Sequence, residues 1–149
     1  MDMKKCRIYF DVCCLNRPFD DLTNDRVRVE AEAVLLILSS CRRGECDLVS
    51  SNVIANEISK QTDARRLEKV KALLSIASEE LIATKATVKL AEAFQASGIT
   101  VFDSYHLAVA EEHGCDVFLT TDDRFLKKAA KQTLNIQVAN PAKWILEVI

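Results

Sequence analysis

Arg7-Ile8-Tyr9-Phe10-Asp11 is a short run of β-branched and aromatic residues stopped by an acid. It reads as the first, central strand of a buried sheet, with Val12 as a further apolar position beyond the acid. Strand interiors disfavour Asp, and an unpaired charge at the end of a central strand is expensive. The competing reading is an Asx turn that caps the following loop. Three further acids repeat the placement: Glu57 beyond Leu48-Val-Ser-Ser, Asp103 in Thr100-Val-Phe-Asp-Ser-Tyr-His, and Asp122 after Val117-Phe-Leu-Thr-Thr. In a parallel α/β sheet the carboxyl ends of the strands open on one side, and ligands gather there. Four carboxylates meeting on that edge repel one another unless a hard cation sits among them. A divalent ion on oxygen ligands, Mg²⁺ or Mn²⁺, is therefore expected.

The rest of the chain supplies such a sheet. A loop carrying Asn16-Arg17-Pro18 leads to a helix from about Asn24 to Arg43, with Val27, Ala31, Val34, Leu38 and Cys41 on one face and Gly44 at its end. Leu48-Val49 is a second strand, and Ser51 or Asn52 caps a helix carrying Glu57. A charged helix follows from Asp63, then a minor strand at Leu81-Ile82 and a helix over 85–96 ended by Gly98. Thr100 caps a helix that Gly114 closes. Residues 117–120 form a strand, 123–131 a helix and 136–138 a last strand. This alternation predicts one α/β domain over residues 1–149, three-layered α/β/α, around a mainly parallel sheet of four to five short strands.

Composition agrees. A chain of 149 residues, 49% hydrophobic, holds one compact core. With 3 Gly and 2 Pro it is ordered and has short connections. The formal net charge of -2 gives no bulk attraction to polyanions, so a nucleic acid must be gripped by local cations and bound metal. The 6 cysteines (Cys6, Cys13, Cys14, Cys41, Cys46 and Cys115) contain no C-x-x-C pair and read as reduced, half-buried apolar residues. Lys4-Lys5 are followed by only a short apolar stretch, which Asp11 interrupts, so no secretory signal is read. The longest apolar run, Val34 to Leu38, is too short for a bilayer. A cytoplasmic protein without membrane attachment is expected.

Each acid has a structural competitor. Asp122 is a natural N-cap, with Asp123 beside it in the first helical turn. Thr100-x-x-Asp103 resembles a capping box. Glu57 has Lys60 three residues on for a surface pair. All four nonetheless occupy the strand-exit side of their βα units. His106 shares a helical face with Asp103 and is placed to orient a carboxylate or a phosphate, or to be a satisfied, half-buried histidine. Thr120 and Thr121 flank Asp122, and Asn16 and Arg17 follow Asp11, where an arginine can pair with phosphate.

Taken together, these stretches resemble the PIN domain, the metal-dependent nuclease fold of VapC-type toxins. The resemblance rests on Tyr9-Phe-Asp-Val-Cys-Cys-Leu-Asn-Arg-Pro-Phe-Asp-Asp21, Ser50-Ser-Asn-Val-Ile-Ala-Asn-Glu57, Asp103-Ser-Tyr-His-Leu-Ala108 and Phe118-Leu-Thr-Thr-Asp-Asp-Arg-Phe125. It implies an acidic tetrad of Asp11, Glu57, Asp103 and Asp122, with Asp123 as the alternative fourth acid. Cys13 stands where the family often has a small hydroxyl residue. The resemblance further implies an endoribonuclease using one or two Mg²⁺ or Mn²⁺ ions on single-stranded or structured RNA, a small antitoxin partner and a homodimer. Arg17, Lys60, Arg65, Arg66, Lys127 and Lys128 are candidate phosphate contacts. A non-catalytic PIN-like module that binds protein, and a PIN nuclease of RNA processing, are the alternatives. A phosphoaspartate receiver lacks its acidic pair here, a haloacid-dehalogenase-type phosphatase lacks D-x-D, and a dinucleotide site lacks its glycines.

Overall fold

The computed structural model describes residues 6–149, so the Lys4-Lys5 pair lies outside the described residues. The chain runs β1 (Arg7–Phe10), α1 (Val12–Asn16), a 3₁₀ turn (Arg17–Phe19), α2 (Asp25–Arg42), β2 (Asp47–Ser51), α3 (Asn52–Ile58) and α4 (Ala64–Leu74). It continues β3 (Glu79–Leu81), α5 (Lys85–Ala96), α6 (Val101–Glu112), β4 (Val117–Leu119), α7 (Asp123–Ala129), β5 (Gln137–Ala139) and α8 (Pro141–Val148). The five strands form one sheet in the order β3-β2-β1-β4-β5, and every pairing is parallel.

Ile8, Tyr9 and Phe10 are all fully buried, so helices cover both faces of the central strand. That is why the strand reads as continuously apolar rather than alternating. The Tyr9 ring stacks on Phe118 at 5.2 Å and meets His106 of α6 edge-on. From β1 the chain leaves towards β2, and from β4 it leaves towards β5 on the opposite side. Adjacent strands whose connections diverge leave a crevice at their carboxyl ends, the usual ligand position in open α/β sheets. Asp11 and Asp122 stand at the exits of these two strands.

Three local expectations are corrected. Val12 does not extend β1, and Asn16 is not in a loop. Asp11 stays extended at ψ 148, and its carbonyl accepts from Cys14 N, which starts α1 at once. The minor strand is Glu79–Leu81, with Ile82 outside it and half-exposed, since an edge strand tolerates the charges of Glu79 and Glu80. A final helix, α8, follows β5. Asn140 caps it by accepting from Ala142 N, and Pro141 opens it. Among the described residues the six cysteines form no disulfide. Among the described residues no helix is long and apolar enough to cross a membrane.

Candidate metal centre

Asp11 sits where β1 ends, beside the exit of β4, and only 5% of it is exposed. Its Oδ2 accepts from the Thr120 hydroxyl at 2.8 Å and meets the Cys13 thiol at 3.4 Å. Thr120 Oγ1 in turn accepts from Asp122 N at 3.1 Å. The hydroxyl thus joins the exits of β1 and β4. Burial above all, then the Cys13 charge, pushes the Asp11 carboxyl well above its ordinary range, and Asp103 and Glu57 add to the push. Cys13 is drawn down to about 6, first by its contact with Cys14 and then, against the opposing effect of burial, by its contacts with Thr120 and the Thr121 amide.

Glu57 reaches the same crevice from α3 and is held from behind. Its Oε1 lies 2.9 Å from His106 Nε2, while His106 Nδ1 lies 2.6 Å from the Tyr9 hydroxyl, which also meets Ser51 Oγ at 2.8 Å. Burial raises the Tyr9 phenol well above its usual value. A carboxylate only accepts, so the bond to Glu57 puts a ring proton on Nε2, and in the neutral ring Nδ1 accepts from the Tyr9 hydroxyl. Ser51 Oγ also accepts from Ile54 N, so the strand-to-helix junction before Glu57 is fixed by the same network. His106 is fully buried. The half-buried histidine anticipated from sequence is an interior one that orients a carboxylate.

Asp103 accepts from the Thr100 hydroxyl at 2.9 Å, and Thr100 makes no capping bond to the backbone. The anticipated capping box therefore does not form, because the two side chains bond each other instead. Burial raises the Asp103 carboxyl, with Asp122 and Glu57 contributing, while Thr100 and His106 oppose. Asp122 caps α7, its Oδ1 accepting from Arg124 N and Phe125 N. Its N-cap role and its place at the crevice coexist, since its other oxygen is not used by the cap.

The structure separates the remaining candidates. Asp123 turns away and receives both terminal nitrogens of Arg26 at 2.9 and 2.8 Å. The Arg17 guanidinium binds Glu30 and Asp20. Arg66 binds Asp20 and the Phe19 carbonyl, and it also reaches Asn16. These two arginines brace the 3₁₀ turn. Thr121 contributes its amide, which bonds Cys13 Sγ at 3.4 Å. The Tyr9–Ser51 half of the network was not anticipated. No local motif marks it, because its members stand on β1, β2 and α6.

Ligand atoms of Asp11, Glu57 and His106 lie within 4.8 Å of one another. Asp103 lies close enough for its charge to act on Asp11, and Asp122 close enough for its charge to act on Asp103. Among the described residues none of the four acids forms an ion pair with Lys or Arg. The imidazole is committed to Tyr9 and Glu57, so the free donors are carboxylate oxygens, which suit a hard divalent ion.

The PIN domain family matches residues 9–131. The chain belongs to the PIN domain family. Among solved structures it is similar to VapBC2 from Rickettsia felis bound to a DNA fragment from their promoter. The TM-score is 0.57 at 12% identity, over 90% of this chain and 98% of that one. It is also similar to DNA-bound VapBC from Salmonella typhimurium, with TM-score 0.59, 15% identity and coverage of 91% and 98%. At such identities the likeness is one of fold. No curated protein sequence matches.

Proposed function

We propose that this PIN domain is a divalent-cation-dependent endoribonuclease, and that it acts as the toxin of a type II toxin–antitoxin pair. The observation that supports the reading is the meeting of Asp11 and Glu57, with His106, within 4.8 Å at the switch point of a parallel sheet; Asp103 acts on Asp11 and Asp122 on Asp103, and among the described residues no Lys or Arg pairs with any of the four acids. Asp11, Asp103 and Asp122 would hold one or two Mg²⁺ or Mn²⁺ ions, with Glu57 completing the set. Such ions lower the pKa of water and neutralise phosphate charge in phosphodiester hydrolysis.

The chain's own residues do the positioning. Thr120 keeps one Asp11 oxygen occupied and leaves the other for the ion. His106 aims Glu57, and the α7 cap fixes Asp122. A flexible RNA strand fits the open rim better than a stiff duplex. The toxin role, an antitoxin partner and a homodimer follow from the kinship with VapC-type proteins.

Incubating a panel of RNAs with the protein and Mg²⁺ or Mn²⁺ tests the reading. Cleavage should fall on the order of 10³-fold in Asp11→Asn, the scale of losing several kcal/mol of transition-state stabilisation. Equal cleavage by the two proteins would remove the mechanism. Growth arrest on expression, relieved by the product of a neighbouring reading frame, separates a toxin from an RNA-processing enzyme.

A further inference from the structure

Beside the acids lies a cleft of about 260 Å³ bounded by α1, α3, α4 and the turn after α3, and Glu57 forms part of its wall. We propose that this cleft receives the nucleobase next to the phosphate being cut, and that Gln61 reads that base's edge. The inference rests on the ribonuclease reading and adds a specificity site to it.

The walls fit a flat heterocycle. Val12, Ile58 and Val70 are buried and apolar, and they offer a face for the ring. The volume falls just below the ~300–1,000 Å³ of pockets for whole drug-sized ligands, which leaves room for one base and not a base pair. The polar groups stand together at the turn. Gln61 Oε1 accepts from Asp63 N at 3.1 Å, which fixes how the amide is turned. Its NH₂ has no partner among the described residues, so Gln61 presents donors. A carbonyl-bearing edge, that of uracil or guanine, is the complement. Lys60 also lines the cleft, with its ammonium 5.2 Å from the centre of the Phe102 ring.

Two variants and one titration test this. Gln61→Glu keeps the bond to Asp63 N but replaces the donor with an acceptor. Cut sites, mapped by sequencing RNA ends, should shift roughly five- to tenfold from carbonyl-edged towards amino-edged bases, the scale of one hydrogen bond. Thr62→Trp, at an exposed position, should plug the cleft and raise KM severalfold while leaving kcat in place. Wild-type protein with Mg²⁺ is also titrated with each of the four nucleoside 5′-monophosphates while the Gln61 side-chain amide resonances are followed. They should move most with UMP or GMP. If wild type cuts RNA while both variants keep its cut sites and KM, the base site is overturned and the ribonuclease reading stands. If wild type cuts no RNA, the ribonuclease reading falls. The titration then decides the cleft alone, and unmoved Gln61 resonances overturn it.

Discussion

The two ends of the same sheet handle charge in opposite ways. At the amino end, Arg7 gives its backbone N–H to Asp116, two side-chain nitrogens to Glu79 and the third to the His113 carbonyl. At the carboxyl end, Asp11, Glu57, Asp103 and Asp122 use hydroxyls, amides and one imidazole, and among the described residues no Lys or Arg pairs with any of them. A folded protein rarely buries a carboxylate without a cation beside it. Glu30 shows that this chain can supply one, since it is buried among Arg17, Arg26 and Asn140. The deficit at the carboxyl rim, where Asp11 is the buried acid, is therefore local, as the proposed cation site requires.

Breaking the acid rim from behind should produce the largest of three effects. His106→Asn removes the group that aims Glu57 and should lower metal affinity or cleavage roughly 10- to 100-fold. It also strips the buried Tyr9 hydroxyl of its acceptor, costing about 1–3 kcal/mol in denaturant unfolding. At the opposite rim, Arg7→Ala should cost about 1 kcal/mol, because Glu79 is half-exposed and its pair is screened. Metal binding should be unchanged. A loss of metal affinity there would mean that the rims are not independent. The smallest effect is expected from Asp123→Ala, next in sequence to a proposed ligand but turned towards Arg26. Cleavage and thermal midpoint should stay where they are, whereas Asp122→Asn should lower cleavage.

The sheet and the acids were legible because each leaves a mark within a few residues. An apolar strand closed by a carboxylate is a local misfit, and the misfit recurred in order along the chain. Other features have no such mark. Glu30 carries no mark of burial in its own stretch, and its partners include Arg17 and Asn140, the latter 110 positions on. The Tyr9–Ser51–His106 relay is likewise assembled by folding. Helix α1 was missed because five residues are too few to show a period, and α8 although Asn140-Pro141 carried a start signal. Thr100 and Asp103 have the spacing of a capping box, yet the hydroxyl bonds the carboxylate directly. Spacing alone does not tell these two arrangements apart.

Asp11 and Asp103 hold their protons more tightly folded than unfolded, since burial raises both. The metal-free protein should therefore lose stability as pH rises from the ordinary carboxylate range through their raised values. A cation that requires the charged forms restores that stability and expels the protons. Calorimetric titration of Mg²⁺ near neutral pH, in two buffers of different ionisation enthalpy, measures ion and protons together. Wild type should show saturable binding with proton release, and Asp11→Asn should show neither. Absence of saturable binding to wild type, or equal binding by the variant, would contradict the account.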